Sequence, residues 1–178
     1  MKYYYIHGYG STGERAFSGL KNAGLKDLNL VRWDSDQSYN DTIRQISRQM
    51  DLNDDVCVIA SSFGGYLAAH LPYNGMAQFV LVNPLTNVYE DFYLPKHSDT
   101  FTKEVAETYI NKKDTIRFNG YPITVMLAKN DEVLDYRIAE KFYKTTGEIK
   151  YISGGHVLTD FKTVVDEILL NEGNLPIL

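Results

Sequence analysis

Short apolar runs alternate along the chain with segments whose apolar residues recur at helical spacing. KYYYIH precedes ERAFSGLKNAG, NLVRW precedes YNDTIRQISRQM, and DVCVIAS precedes FGGYLAAHL. AQFVLVN opens onto a long polar stretch, PITVMLA onto DYRIAEKFYKT, and EIKYIS onto VLTDFKTVVDEILL. This pattern predicts an α/β chain of about six strands with helices between them. Strands that are apolar on both faces and joined by helical crossovers form a parallel sheet covered on each side, with right-handed connections. Ligands then gather at the C-terminal ends of the strands. Those ends are IHGYGSTG, ASSFGG, VNPLTN, LAKNDEV and ISGGHV, and they hold most of the candidate catalytic residues.

From Pro84 to Gly120 the rhythm breaks, and a stretch rich in Asn, Asp, Lys and Tyr replaces the short crossover. It reads as a cap-like insertion at about 85–120. TFTKEVAETYINK inside it starts on a helix-capping threonine and has an apolar side made by Phe101, Val105, Tyr109 and Ile110, which predicts a small helix over the sheet edge.

The chain of 178 residues is long enough for one buried core and short for two, so a single domain over 1–178 is expected. With 44% hydrophobic and 23% charged residues it has a globular composition, and no apolar run is long enough for a membrane span. A net charge of −5 disfavours nucleic acid and anionic membrane surfaces as partners. MKYYYIHGYG lacks the apolar core of a signal peptide, and the single cysteine, Cys57, cannot form an internal disulfide, so a cytoplasmic location is expected. Cys57 itself reads as a core residue of a strand. The 14 tyrosines read as half-buried rings with wet hydroxyls.

The chemistry begins at IASSFGGYLA. Ala60, Ser61, Ser62, Phe63 and Gly64 nearly spell the nucleophile elbow G-x-S-x-G, in the strand, turn and helix context that the elbow requires. A small-residue turn with Ser61 or Ser62 as N-cap is the structural alternative. Asp131 follows the strand of PITVMLA and His156 that of EIKYIS, so serine, acid and histidine stand in α/β-hydrolase order, each at a strand's C-terminal end. In this reading His156 takes the Ser62 proton and Asp131 fixes the imidazole tautomer. Glu132 and Asp135 are rival acids, with Glu132 expected to point elsewhere and Asp135 expected to cap a helix. The backbone N–H groups of Tyr9 and Phe63 are the candidate oxyanion hole. His7 is expected to brace the first loop, and His70 and His97 to be ordinary surface or helix residues.

The first loop supports a rival. Gly8, Gly10 and Gly13 in HGYGSTGER spell G-x-G-x-x-G, and Asp34 or Asp36 follows about twenty residues on, the fingerprint of a dinucleotide site. That reading leaves Ser62, Asp131 and His156 unexplained, whereas hydrolysis accounts for all of these loops. A hydrolase-like fold that only binds ligands or partners is the third possibility.

YIHGYGST, ASSFGGYLA, VLVNP, NDEVLDYRIAEKFY and GGHVLTDF together resemble the short bacterial esterases of the YqiA/YcfP-like family, in the α/β-hydrolase superfamily, nearly end to end. The resemblance implies a minimal hydrolase fold with sheet order 2-1-3-4-5-6, hydrolysis of carboxylic esters or acyl thioesters as small-molecule substrates, and no metal or organic cofactor. It also implies triad roles for Ser62, Asp131 and His156. Departures are Ala60 in place of the elbow glycine, Asn130 before the acid, and a divergent middle segment. Tyr89, Phe92 and Tyr93 in the insertion are candidate substrate contacts.

Overall fold

The computed structural model describes residues 1–88, 102–110, 112, 118 and 120–172. The strands are β1 (Lys2–Ile6), β2 (Leu28–Val31), β3 (Val56–Ser61), β4 (Ala77–Val82), β5 (Ile123–Ala128) and β6 (Glu148–Ile152). The helices are α1 (Glu14–Asn22), α2 (Tyr39–Ser47), α3 (Phe63–Ala68), α4 (Lys103–Tyr109), α5 (Tyr136–Tyr143) and α6 (Phe161–Glu172). The strands form one sheet in the order β2-β1-β3-β4-β5-β6, with every neighbouring pair parallel. This is the order that the family resemblance implied.

Alternation along the strands separates two cores. Tyr4, Ile6, Val58, Ala60 and Leu81 face one side, where Ile46 of α2, Phe63 and Leu67 of α3, Tyr109 of α4 and Tyr143 of α5 cover them. Tyr3, Tyr5, Cys57, Ile59 and Val80 face the other, against Leu20 of α1 and Val164, Val165 and Ile168 of α6. Cys57 is fully buried, and burial pushes its thiol up to about 12, so it packs as a small hydrophobe.

Side chains cap the helices where short polar residues precede them. Ser38 accepts the Asp41 N–H, Thr102 the Val105 N–H, and Asp135 the Arg137 N–H. The last helix starts later than its apolar pattern suggests. Asp160 accepts the Thr163 N–H and the Ser153 hydroxyl, so VLTD stays a loop and the helix opens at Phe161.

The tyrosines are drier than their composition suggested. Tyr66 and Tyr109 are fully buried because each hydroxyl is satisfied inside: Tyr66 donates to the Tyr109 carbonyl at 2.7 Å, and Tyr109 pairs with Thr42 at 2.7 Å and donates to the Gln37 carbonyl at 3.0 Å. Through these bonds, and Tyr39 N–H to Thr108 Oγ1, α4 docks on α2 and α3 over the first core rather than at the sheet edge.

Gly64 lets the end of β1 press onto the first turn of α3. A Cβ there would lie 2.3 Å from the Ile6 carbonyl oxygen and 2.6 Å from that of His7, both backbone atoms. Gly64→Ala is therefore expected to lower stability by about 3 kcal/mol, the upper end for overpacking. The urea midpoint measures this, and an unchanged midpoint would mean that the contact is not tight.

Candidate active site

The strand order reverses between β1 and β3: the chain leaves β1 for β2 on one side and continues from β3 to β4 on the other. The crevice above such a switch point is where open α/β sheets bind ligands. Here it receives the loop after β1 and the turn between β3 and α3. Ser62 occupies that turn at φ 53° and ψ −123°, a conformation costly for a residue with a Cβ. The backbone fixes it there, with Ser62 N–H donating to Val82 O at 3.0 Å, and Gly65 N–H and Leu85 N–H donating to Ser62 O at 3.0 and 2.9 Å. Ala60 lies inside β3, paired with Ile6 and Leu81, and its methyl belongs to the first core. The missing elbow glycine therefore costs the turn nothing.

Ser62, His156 and Asp131 converge from the ends of three strands. Asp131 follows β5, and His156 follows β6. His156 Nδ1 lies 2.9 and 3.0 Å from the two Asp131 oxygens, and His156 Nε2 lies 3.0 Å from Ser62 Oγ. An ionised carboxylate only accepts, so Nδ1 carries the proton, and neutral Nε2 is left to accept from the serine hydroxyl. Burial by itself would raise the Asp131 carboxyl. The hydrogen bonds from His156 and from the Leu134 and Val133 N–H groups outweigh it and hold the group below the ordinary carboxylate range. The Asp131 carboxylate is 1% exposed and the His156 imidazole 16%, so the carboxylate is shielded while the ring reaches the cavity.

The rival acids do other work. Glu132 turns back and accepts the His156 backbone N–H at 3.0 Å, a bond that also lowers its own pKa. Asp135 caps α5 and pairs with Arg137.

Asn83 is a positioning residue that the sequence reading passed over. It is buried at positive φ, 44°, just beyond β4. Its Oδ1 accepts the Ala128 N–H at 2.8 Å, which forces the amide nitrogen toward the Gly155 and His156 carbonyls at 3.0 and 3.2 Å. One side chain thus ties the ends of β4 and β5 to the histidine loop. The available signal was an asparagine, tolerant of positive φ, directly after an apolar strand and before Pro84.

The first loop is braced as expected. His7 is buried, donates Nδ1–H to Gly8 O at 2.9 Å and stacks on Trp33, whose Nε1–H donates to His7 O at 3.1 Å. Burial depresses the His7 pKa, the Gly8 bond opposes this, and the Arg32 charge adds to the lowering. Trp33 also stacks on Phe63, and Tyr9 packs edge-on against Phe63. A Cβ on Gly8 would lie 3.1 Å from the Ser62 Cβ, so this loop closes directly over the serine.

Of the three loop glycines, Gly8 lies on the wall of the serine cavity, whereas Gly10 lines a separate cavity with Trp33, Asp34 and Asp36. Gly13 caps α1 at φ 77° against His7 and Leu30. The Asp34 carboxylate accepts N–H groups from Gln37 and Gln45 at 3.0 Å each, so its Oδ2 is engaged within the protein. His70, read as an ordinary surface or helix residue, follows the end of α3 and is buried, with its ring nitrogens 2.6 Å from the Tyr66 carbonyl and 3.1 Å from that of Lys112. His97, Tyr89, Phe92 and Tyr93 lie outside the described residues, as does much of the expected insertion. Among the described residues no helix is long and apolar enough to cross a membrane.

Solved structures share this architecture. The mouse alpha/beta hydrolase domain-containing protein 10 superposes with a TM-score of 0.70 at 10% identity, covering 98% of this chain and 90% of its own. The ydeN gene product of B. subtilis gives 0.69 at 15%, covering 97% and 98%. Est1E from Butyrivibrio proteoclasticus gives 0.67 at 14%, covering 96% and 88%. At these identities the likeness is one of fold. The sequence itself matches the uncharacterised protein family UPF0227 over residues 2–170, and the chain belongs to that family.

Proposed function

We propose that the protein is a serine hydrolase of carboxylic esters, working through an acyl-enzyme on Ser62. The observation that carries this reading is the unbroken path from Ser62 Oγ through His156 to a shielded Asp131, at the switch point of a hydrolase-type sheet. The mouse structural neighbour, named as an alpha/beta hydrolase domain-containing protein, supports the same reaction class.

Ser62 Oγ attacks the ester carbonyl carbon while His156 Nε2 takes its proton, and Asp131 stabilises the resulting imidazolium. The carbonyl π electrons move onto oxygen, where the N–H groups of Phe63, next after the nucleophile, and Tyr9 in the loop above it receive the charge. Collapse of this intermediate expels the alcohol, which leaves with the proton from His156. Water then repeats the sequence on the acyl-serine, giving the acid and restoring Ser62. The same steps release a thiol from an acyl thioester.

The neighbouring Ser61 has a different setting. Its hydroxyl lies 2.8 Å from the Tyr5 hydroxyl, whereas the His156 imidazole bonds Ser62. A fluorophosphonate probe should accordingly modify the protein once, and peptide mass spectrometry should locate the adduct on Ser62. An adduct on Ser61, or none on the folded protein, would sink the proposal.

A further inference from the structure

Arg15 stands on the wall of the cavity of about 200 Å³ that Ser62 and His156 share. It is the second residue of α1, and the turn at Gly13 sets that helix beside the serine loop. The chain carries a net charge of −5, yet no carboxylate lines this cavity among the described residues. Arg15's neighbour Glu14 pairs with Arg32 instead. Arg15 is solvent-exposed at the rim of this cavity.

A second observation on the same cavity is independent of the first. Tyr5 and Ser61 both line it, and their hydroxyls are 2.8 Å apart. Each hydroxyl has one hydrogen, and only one of the two is used between them, so one O–H stays available whichever of the pair donates. Tyr5 is 3% exposed and Ser61 half-buried, so the Tyr5 end of the pair is held in place by the core. The triad chemistry uses neither Arg15 nor this hydroxyl pair.

A guanidinium and an O–H donor on one small cavity suit a carboxylate or a similar planar anion, whereas an alkyl group gains nothing from them. The cavity is below the roughly 300–1,000 Å³ of pockets that enclose drug-sized ligands, so the group it holds is small. Resting on the hydrolase reading above, the geometry points to a substrate class: short esters that carry an anionic group a few atoms from the scissile carbonyl, held by Arg15 with the Tyr5 and Ser61 pair. The anion is a spectator. Hydrolysis adds water across the ester bond and leaves the carboxylate unchanged.

Two matched pairs of esters test this and tell which half of the ester bears the charge. Monomethyl succinate against methyl 4-methylpentanoate places the anion or its neutral isostere on the acyl side, and acetoxyacetate against isobutyl acetate places it on the alcohol side. For one pair, the charged-to-neutral ratio of kcat/KM should fall about tenfold in Arg15→Gln, recover in part in Arg15→Lys, and shrink in wild type at 0.5 M salt, because an exposed cation is screened. Ratios equal in wild type and Arg15→Gln for both pairs would overturn the proposal.

A binding arm separates this result from failure of the hydrolase reading. Monomethyl succinate and acetoxyacetate are titrated by calorimetry into Ser62→Ala and into Ser62→Ala with Arg15→Gln. Weaker binding of either anion to the double variant supports the anion site even if no ester turns over. Equal binding of both anions counts against the site whatever the turnover.

Discussion

Ser62→Ala is expected to lower kcat for a short p-nitrophenyl ester by roughly 10⁵-fold or more, since removing the nucleophile removes the covalent route altogether. Residual turnover would come from the oxyanion donors and from substrate positioning, which alone retain roughly 10³ to 10⁴ over water in such sites. The variant should fold. The bonds that hold the elbow run through the Ser62 backbone, to Val82 O and from Gly65 and Leu85, and survive the change. Only the hydroxyl contact with His156 is lost. Equal rates in the folded variant and wild type would refute nucleophilic catalysis by Ser62. A melting temperature measured alongside separates loss of chemistry from loss of fold.

Residues 62, 131 and 156 could be picked out in the chain because parallel topology does the gathering. Once apolar runs alternate with helical segments, every strand's C-terminal end lies on one edge, and chemistry-bearing residues at those ends must be neighbours. Asn83 and Trp33 were not legible in the same way. Each looks in sequence like an ordinary loop or strand residue, and its role arises from partners far along the chain: Asn83 reaches the Gly155 and His156 carbonyls, and Trp33 reaches His7 and Phe63. His70 shows the same limit from the other side. A polar residue at the end of a helix reads as solvated until two backbone carbonyls are found to enclose it. Periodicity reports which face is apolar, but it does not report which polar group will be satisfied inside.

Asp131→Asn should lower kcat by about 10⁴-fold with little change in fold, and the reason lies in how the carboxylate is pinned. Oδ1 accepts the Val133 and Leu134 N–H groups at 2.8 Å each, so an asparagine must place its amide oxygen there to keep both bonds. Its NH₂ then takes the Oδ2 position, 2.9 Å from His156 Nδ1. Two N–H donors facing each other repel, and the retained oxygen, 3.0 Å from Nδ1, already accepts two backbone N–H groups, so the imidazole proton shifts toward Nε2. That proton points at Ser62 Oγ, 3.0 Å away, and the histidine can no longer accept from the serine. Glu132→Gln is the matched comparison, because it keeps an oxygen for the His156 backbone N–H and leaves the imidazole tautomer alone. Its loss should stay under about tenfold, as for a residue that positions rather than reacts, equivalent to about 1.4 kcal/mol. If Glu132→Gln matched or exceeded Asp131→Asn, the acid would have been assigned to the wrong residue.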